Sequence, residues 1–77
     1  MSHGADDLLL LLAVARHGSY AGAAADLGLS HTTVSRRMAG LERAVGARLL
    51  VRSGDRWEPS ELGRTFVAAG EEIAHAV

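Results

Sequence analysis

A mainly α-helical domain carrying one short β-hairpin is the fold class that this 77-residue sequence predicts. Three observations carry the prediction. Serine-then-glycine punctuation brackets two apolar segments, Ser19 with Gly28 and Ser30 with Gly46, the signature of capped helices. A short stretch, LLVRSGDRWEP, breaks that rhythm with two strand-like pieces about a glycine turn. The hydrophobic fraction of 48% beside 22% charged residues fits a folded chain rather than a disordered one.

Taken in order, Met1 to Ala5 reads as a loose tail, and Asp6 or Asp7 caps a first helix running to about His17. His17 suits a helix C-terminus, where the dipole favours a cation, and Gly18 is the stop. Ser19 caps a short second helix, YAGAAADL, whose small side chains let neighbouring helices approach closely. Ser30 caps a third helix from about His31 to Val45, with Gly46 just past its end. Leu49 to Arg52 and Arg56 to Glu58 read as strands about a Ser53-Gly54-Asp55 turn, and Pro59 limits the second strand. Ser60 caps a final helix, ELGRTFVAAGEEIAHAV, that reaches the end of the sequence.

Several function classes lose support at once. Without cysteine there are no disulfides and no thiolate metal sites. The apolar run LLLLLAVA is far shorter than the ~20 residues of a membrane span. Two aspartates and no Lys or Arg precede it, unlike a signal peptide, so a cytoplasmic setting is expected. No paired carboxylates, nucleophile motif or phosphate-binding glycine loop is present, and His3, His17, His31 and His75 are scattered. The expectation is a non-enzyme with no catalytic residues, no metal site and no cofactor. So small a core leaves little margin of stability, which makes oligomerisation or a further domain plausible.

The net charge of −1 conceals an asymmetry. All eight basic residues are arginine, and six of them (Arg36, Arg37, Arg43, Arg48, Arg52 and Arg56) fall between positions 30 and 56. Against the two acids Glu42 and Asp55 this window carries +4, while the remainder, with two arginines and seven acids, carries −5. A localised positive region is the footprint of a polyanion partner, with a merely solvated charged face as the alternative.

Between Ser19 and Glu42, two short capped helices joined by the tight Gly28-Leu29 turn form a helix-turn-helix arrangement. At 100° per residue, Val34, Met38, Leu41 and Val45 share one narrow arc of the third helix and face the core. The opposite arc carries Thr32, Arg36, Ala39, Gly40 and Arg43, flanked by Ser35 and Arg37, with His31 at the N-terminus. Donors near the helix start followed by small residues suit a helix pressed into a groove. Arg36 and Arg37 offer bidentate donors to guanine or phosphate, and amides near Ser30 can hold a phosphate. Arg52 and Arg56 flank the hairpin tip, where an adjacent minor groove would attract them.

The run GSYAGAAADLGLSHTTVSRRMAGLERAVGARLLVRSG, continuing to PSELG, resembles the DNA-binding domain of LysR-type transcriptional regulators. Gly18, Ser19, Tyr20, Ala23, Ala24, Leu27, Ser30, Val34, Ser35, Met38, Leu41, Glu42, Val45, Gly46, Leu49, Leu50, Arg52, Ser60 and Gly63 carry the match, without gaps. The resemblance implies a winged helix-turn-helix: a three-helix core, a two-stranded wing and a long C-terminal linker helix. It implies double-stranded DNA as partner, the third helix in the major groove and the wing near the minor groove. By position, His31, Thr32, Ser35 and Arg36 become base readers; Ser19, Ser30, Thr33 and Arg37 phosphate contacts; Arg52 and Arg56 wing contacts. His31 stands where the family commonly has Gln, and Thr32 where it has Pro or Ser, so the operator sequence does not carry over.

Residues 1–59 are thus expected to form the DNA-binding domain and residues 60–77 a dimerisation helix. In that helix Leu62, Phe66, Ala69, Ile73 and Ala76 follow the four-three spacing of a two-stranded coiled coil. Packing of the same stripe on the domain's own core is the alternative. The family resemblance also implies a homodimer on an inverted-repeat operator and an effector-sensing domain in a longer parent chain. A winged-helix module that binds protein and not DNA is the competing function.

Overall fold

The computed structural model describes residues 3–76. Its elements follow the expected order: α1 (His3–His17), α2 (Tyr20–Leu27), α3 (His31–Val45), β1 (Leu50–Ser53), β2 (Arg56–Pro59) and α4 (Glu61–Ala76). The fold class is the expected one, helices with a two-stranded antiparallel wing. Met1 and Ser2 of the expected tail lie outside the described residues.

Helix α1 starts earlier than the capping aspartates implied. His3 to Ala5 are already helical, so Asp6 lies in the first turn, where its charge complements the dipole without being the cap. Asp7 instead faces α3, with a carboxylate oxygen 3.6 Å from Arg37. Leu10 to Val14 are all buried, and α1 packs against α2, α3, β2 and α4. A segment apolar on every side is stable only when enclosed, which explains why LLLLLAVA sits at the centre.

Around it gather Ala23 and Ala24 from α2, Val34 and Met38 from α3, and Leu49 and Leu50 from the start of the wing. Leu41 and Val45 pack at the edge of this core, as their angular positions on α3 required. Caps lie where the serines and glycines placed them. Ser19 Oγ accepts from Gly22 N at 2.9 Å and Ser30 Oγ from Thr33 N at 3.1 Å, while Gly28 and Gly46 close their helices in the left-handed region.

The hairpin is shifted slightly from the expected one. Ser53 pairs with Arg56, so the turn is the two-residue Gly54-Asp55 and not three residues. Gly54 has φ of 63°, and every positive φ among the described residues is at glycine, leaving Asp55 on the ordinary side. That combination belongs to the two-residue turns that put glycine first, whose twist matches the strands. Leu49 lies just outside β1, and Glu42 holds the chain there: Leu49 N and Leu50 N both donate to Glu42 Oε2, at 2.7 and 3.2 Å. At the other end Pro59 closes β2 opposite Leu50, a terminal position where its missing N–H interrupts no inner ladder bond.

Glu42 therefore fastens the wing to α3. Its side chain is only 15% exposed and also meets Arg48 Nε at 3.4 Å. Hydrogen bonds to a charged acceptor outweigh neutral ones, so Glu42→Gln is expected to cost about 1 kcal/mol in chemical denaturation. An unchanged midpoint would mean that the wing is held by its apolar contacts alone. On the far side Ser60 joins β1 to α4: its N–H donates to Leu49 O at 2.9 Å, its hydroxyl to Arg48 O at 2.7 Å, and its Oγ accepts from Gly63 N.

Candidate nucleic-acid interface

Burial of Val34 and Met38 leaves the other side of α3 in solvent. His31, Thr32, Ser35, Arg36, Ala39 and Arg43 are all exposed there. The helix start is electrostatically suited to an anion: no acidic residue lies in the first turn of α3, where the dipole favours negative charge. Ser30 and Thr33 are occupied locally, the Ser30 hydroxyl donating to Thr33 Oγ1 at 2.9 Å. Ser19 likewise spends an oxygen lone pair on its cap while keeping its hydroxyl proton free to donate.

The six arginines of the basic window divide into distinct environments. Arg36 and Arg43 have no carboxylate within ion-pair distance among the described residues. Arg37 is paired with Asp7, and Arg48 with Glu42. Both pairs are partly exposed, so each holds its arginine only weakly and a phosphate can compete for it. In the wing, Arg52 lies over the Trp57 ring at 5.4 Å and its Nε reaches Gly54 O at 3.3 Å. Arg56, expected beside it at the tip, folds back onto the turn between α1 and α2. A Cβ on Gly18 would lie 2.5 Å from Arg56 Cζ, the end of a flexible side chain that can swing aside, whereas the φ of 70° at Gly18 is left-handed backbone that favours glycine. Trp57 N donates to Gly18 O at 2.8 Å, pinning β2 to the same turn.

The α4 stripe expected to pair two copies is unevenly covered. Phe66 packs against the domain core, Leu62 is 41% exposed, and Ala69 and Ile73 are half-buried. The Ala76 side chain lies outside the described residues. Where α4 crosses α1, Gly70 sits against Leu8 O.

A helix-turn-helix with a small-residue second helix, an outward polar third helix and a wing pinned at both ends is now in place. The sequence pattern of the bacterial regulatory helix-turn-helix proteins of the lysR family matches residues 5–64. The chain belongs to the LysR family. Among curated relatives, an HTH-type transcriptional regulator of Xanthomonas campestris is 40% identical over 74 residues, covering 96% of this chain and 22% of its own length. The regulator CbbR of Xanthobacter flavus is 39% identical over 70 residues, 91% of this chain and 21% of CbbR. The chain thus spans about one fifth of the length of these LysR relatives. Among solved structures, the CbnR DNA-binding domain in complex with DNA superposes with a TM-score of 0.82 at 32% identity, over 99% of this chain and 85% of that one. Full-length LysG of Corynebacterium glutamicum, with arginine bound as effector, gives 0.86 at 30% identity over 99% of this chain and 25% of LysG. The LysR relatives are transcriptional regulators rather than enzymes, and no described helix here is long and apolar enough to cross a membrane.

Two parts of the site escaped the reading of the sequence. Glu42 matched the family pattern, but nothing in its spacing revealed that its carboxylate holds two wing amides. Tyr20 was visible as a helix-start aromatic, yet no periodicity links positions 20, 31 and 57, whose rings meet in the fold.

Proposed function

We propose that this chain is the DNA-binding unit of a cytoplasmic transcription regulator, inserting α3 into the major groove of duplex DNA. The observation that carries the reading is the outward row of α3: exposed Thr32, Ser35, Arg36 and Arg43, with both arginines unpaired among the described residues and small Ala39 between them. His31, Thr32, Ser35 and Arg36 read base edges, where guanidinium and hydroxyl donors match the groove pattern. Ser19, Ser30, Thr33 and Arg37 hold the backbone, and the α3 N-terminus adds its amides. Arg52 and Arg56 serve the wing, Arg56 after leaving its rest position on Gly18. The work is docking, without catalysis or a cofactor.

Two copies pair through Leu62, Phe66, Ala69, Ile73 and Ala76, so the operator is an inverted repeat whose symmetry mirrors the dimer. An effector-sensing domain in a longer parent chain supplies the control. The DNA-complex relative and the effector-bound relative support this division of labour.

Selection of bound sequences from a random duplex pool tests the reading directly and defines the half-site. On the selected site Arg36→Ala is expected to cost about 1–3 kcal/mol and to relax preference at one base position. An equal loss on every sequence would make Arg36 a phosphate contact. Binding is also expected to weaken with salt, by about 0.9 in log–log slope for each phosphate neutralised. A flat salt dependence with no enriched sequence would reject DNA in favour of a protein partner.

A further inference from the structure

Four side chains from four elements form a continuous row at the junction of α3 and the wing. The Tyr20 ring lies 5.9 Å from the His31 imidazole, at 36°. The same Tyr20 ring lies 5.3 Å from the Trp57 indole, at 50°. Arg52 in turn lies over Trp57 at 5.4 Å. The two ends, His31 and Arg52, are exposed, whereas Tyr20 and Trp57 are half-buried and packed on the core. Tilted rings at these centroid distances attract beyond their buried area, and the guanidinium adds attraction to the indole face.

From this geometry we infer that Tyr20 is a positioning residue for DNA reading, coupling the N-terminus of α3 to the wing tip so that both are set together. The inference rests on the DNA-binding reading above and adds a role to a residue outside the contact set. Tyr20 is well placed for it, because it opens α2 directly after the Ser19 cap and so cannot drift along the helix. Burial, then the Glu42 carboxylate, raises the phenol pKa, with Arg48 opposing. Without the Tyr20 ring, His31 loses its backing and Trp57 loses one wall, and the wing can tilt while both helices remain.

The test is a mutant cycle on the ends of the row, both surface residues whose truncation spares the core. Affinity for the selected site is measured for His31→Ala, Arg52→Ala and the pair, in the wild-type, Tyr20→Phe and Tyr20→Leu backgrounds, with folding checked by circular dichroism. Substitutions without a shared partner ordinarily add. The expected result is a departure from additivity of at least about threefold in the wild-type and Tyr20→Phe backgrounds, and additivity in Tyr20→Leu. Additive ends in the wild type would overturn the coupling. Coupling that persists in Tyr20→Leu would overturn the role of Tyr20 and route the effect through the DNA. A wild-type chain with no sequence preference would overturn the DNA reading itself, and this inference with it.

Discussion

Ile73→Asp is expected to turn a dimer into a monomer in sedimentation experiments and to weaken operator binding by roughly 10²–10⁴-fold. The reasoning starts from α4. Phe66 is turned into the domain core, but Ile73 lies three residues beyond Gly70, where the backbone of α1 makes its close approach. Ile73 is half-buried by its own chain, so its remaining surface is available to a partner helix. An aspartate there would place a charge in an apolar seam, a cost far larger than a lost methyl contact. DNA binding amplifies the effect, because two linked half-sites act at high effective concentration and a monomer holds only one. Unfolding measurements separate the alternatives. If α4 packs only on its own domain, the mass stays unchanged and the melting temperature falls instead.

The sequence made the architecture legible because caps and angular periodicity are local. Ser19, Ser30, Gly28 and Gly46 each act within a few residues, and each sits where the spacing put it. Val34 and Met38 were readable as core because a 15-residue helix samples its period several times. The wing was less legible. Its anchoring depends on Glu42, a residue from another element whose carboxylate takes the Leu49 and Leu50 amides. The start of α1 was misjudged for a related reason: Asp6 and Asp7 look like caps, but Asp7 is drawn to Arg37 across the fold. Spacing cannot report a contact that exists only after packing.

The charge reading shows the same limit in the candidate site. A window of +4 counts its six arginines alike. Folding sorts them: Arg36 and Arg43 remain open, Arg37 and Arg48 are lightly paired, Arg52 caps Trp57, and Arg56 rests on Gly18. The two arginines with neither a carboxylate nor a ring or turn against them thus both lie on α3.

Gly63→Ala is expected to destabilise the domain by roughly 2–3 kcal/mol, although alanine is the better helix former. In an open helical site the exchange would gain up to ~1 kcal/mol. Gly40 on α3 is such a site, with nothing within 4 Å of an added Cβ, and Gly40→Ala is expected to raise stability. At Gly63 the added Cβ would collide with the Leu49 carbonyl oxygen, a backbone atom that cannot rotate away. That oxygen is held in place because it accepts from Ser60 N at 2.9 Å, and the Ser60 hydroxyl is itself tied to Arg48 O. Relief of the clash therefore requires α4 to lift off the wing and break the joint between them, a cost of overpacking that exceeds the propensity gain. For a domain of this size the loss corresponds to a melting temperature lower by roughly 8–24 °C. With α4 as the proposed pairing helix, operator affinity is expected to fall further than half-site affinity at a temperature where the variant is folded. Equal or higher stability of Gly63→Ala would show that α4 is free to slide past Leu49.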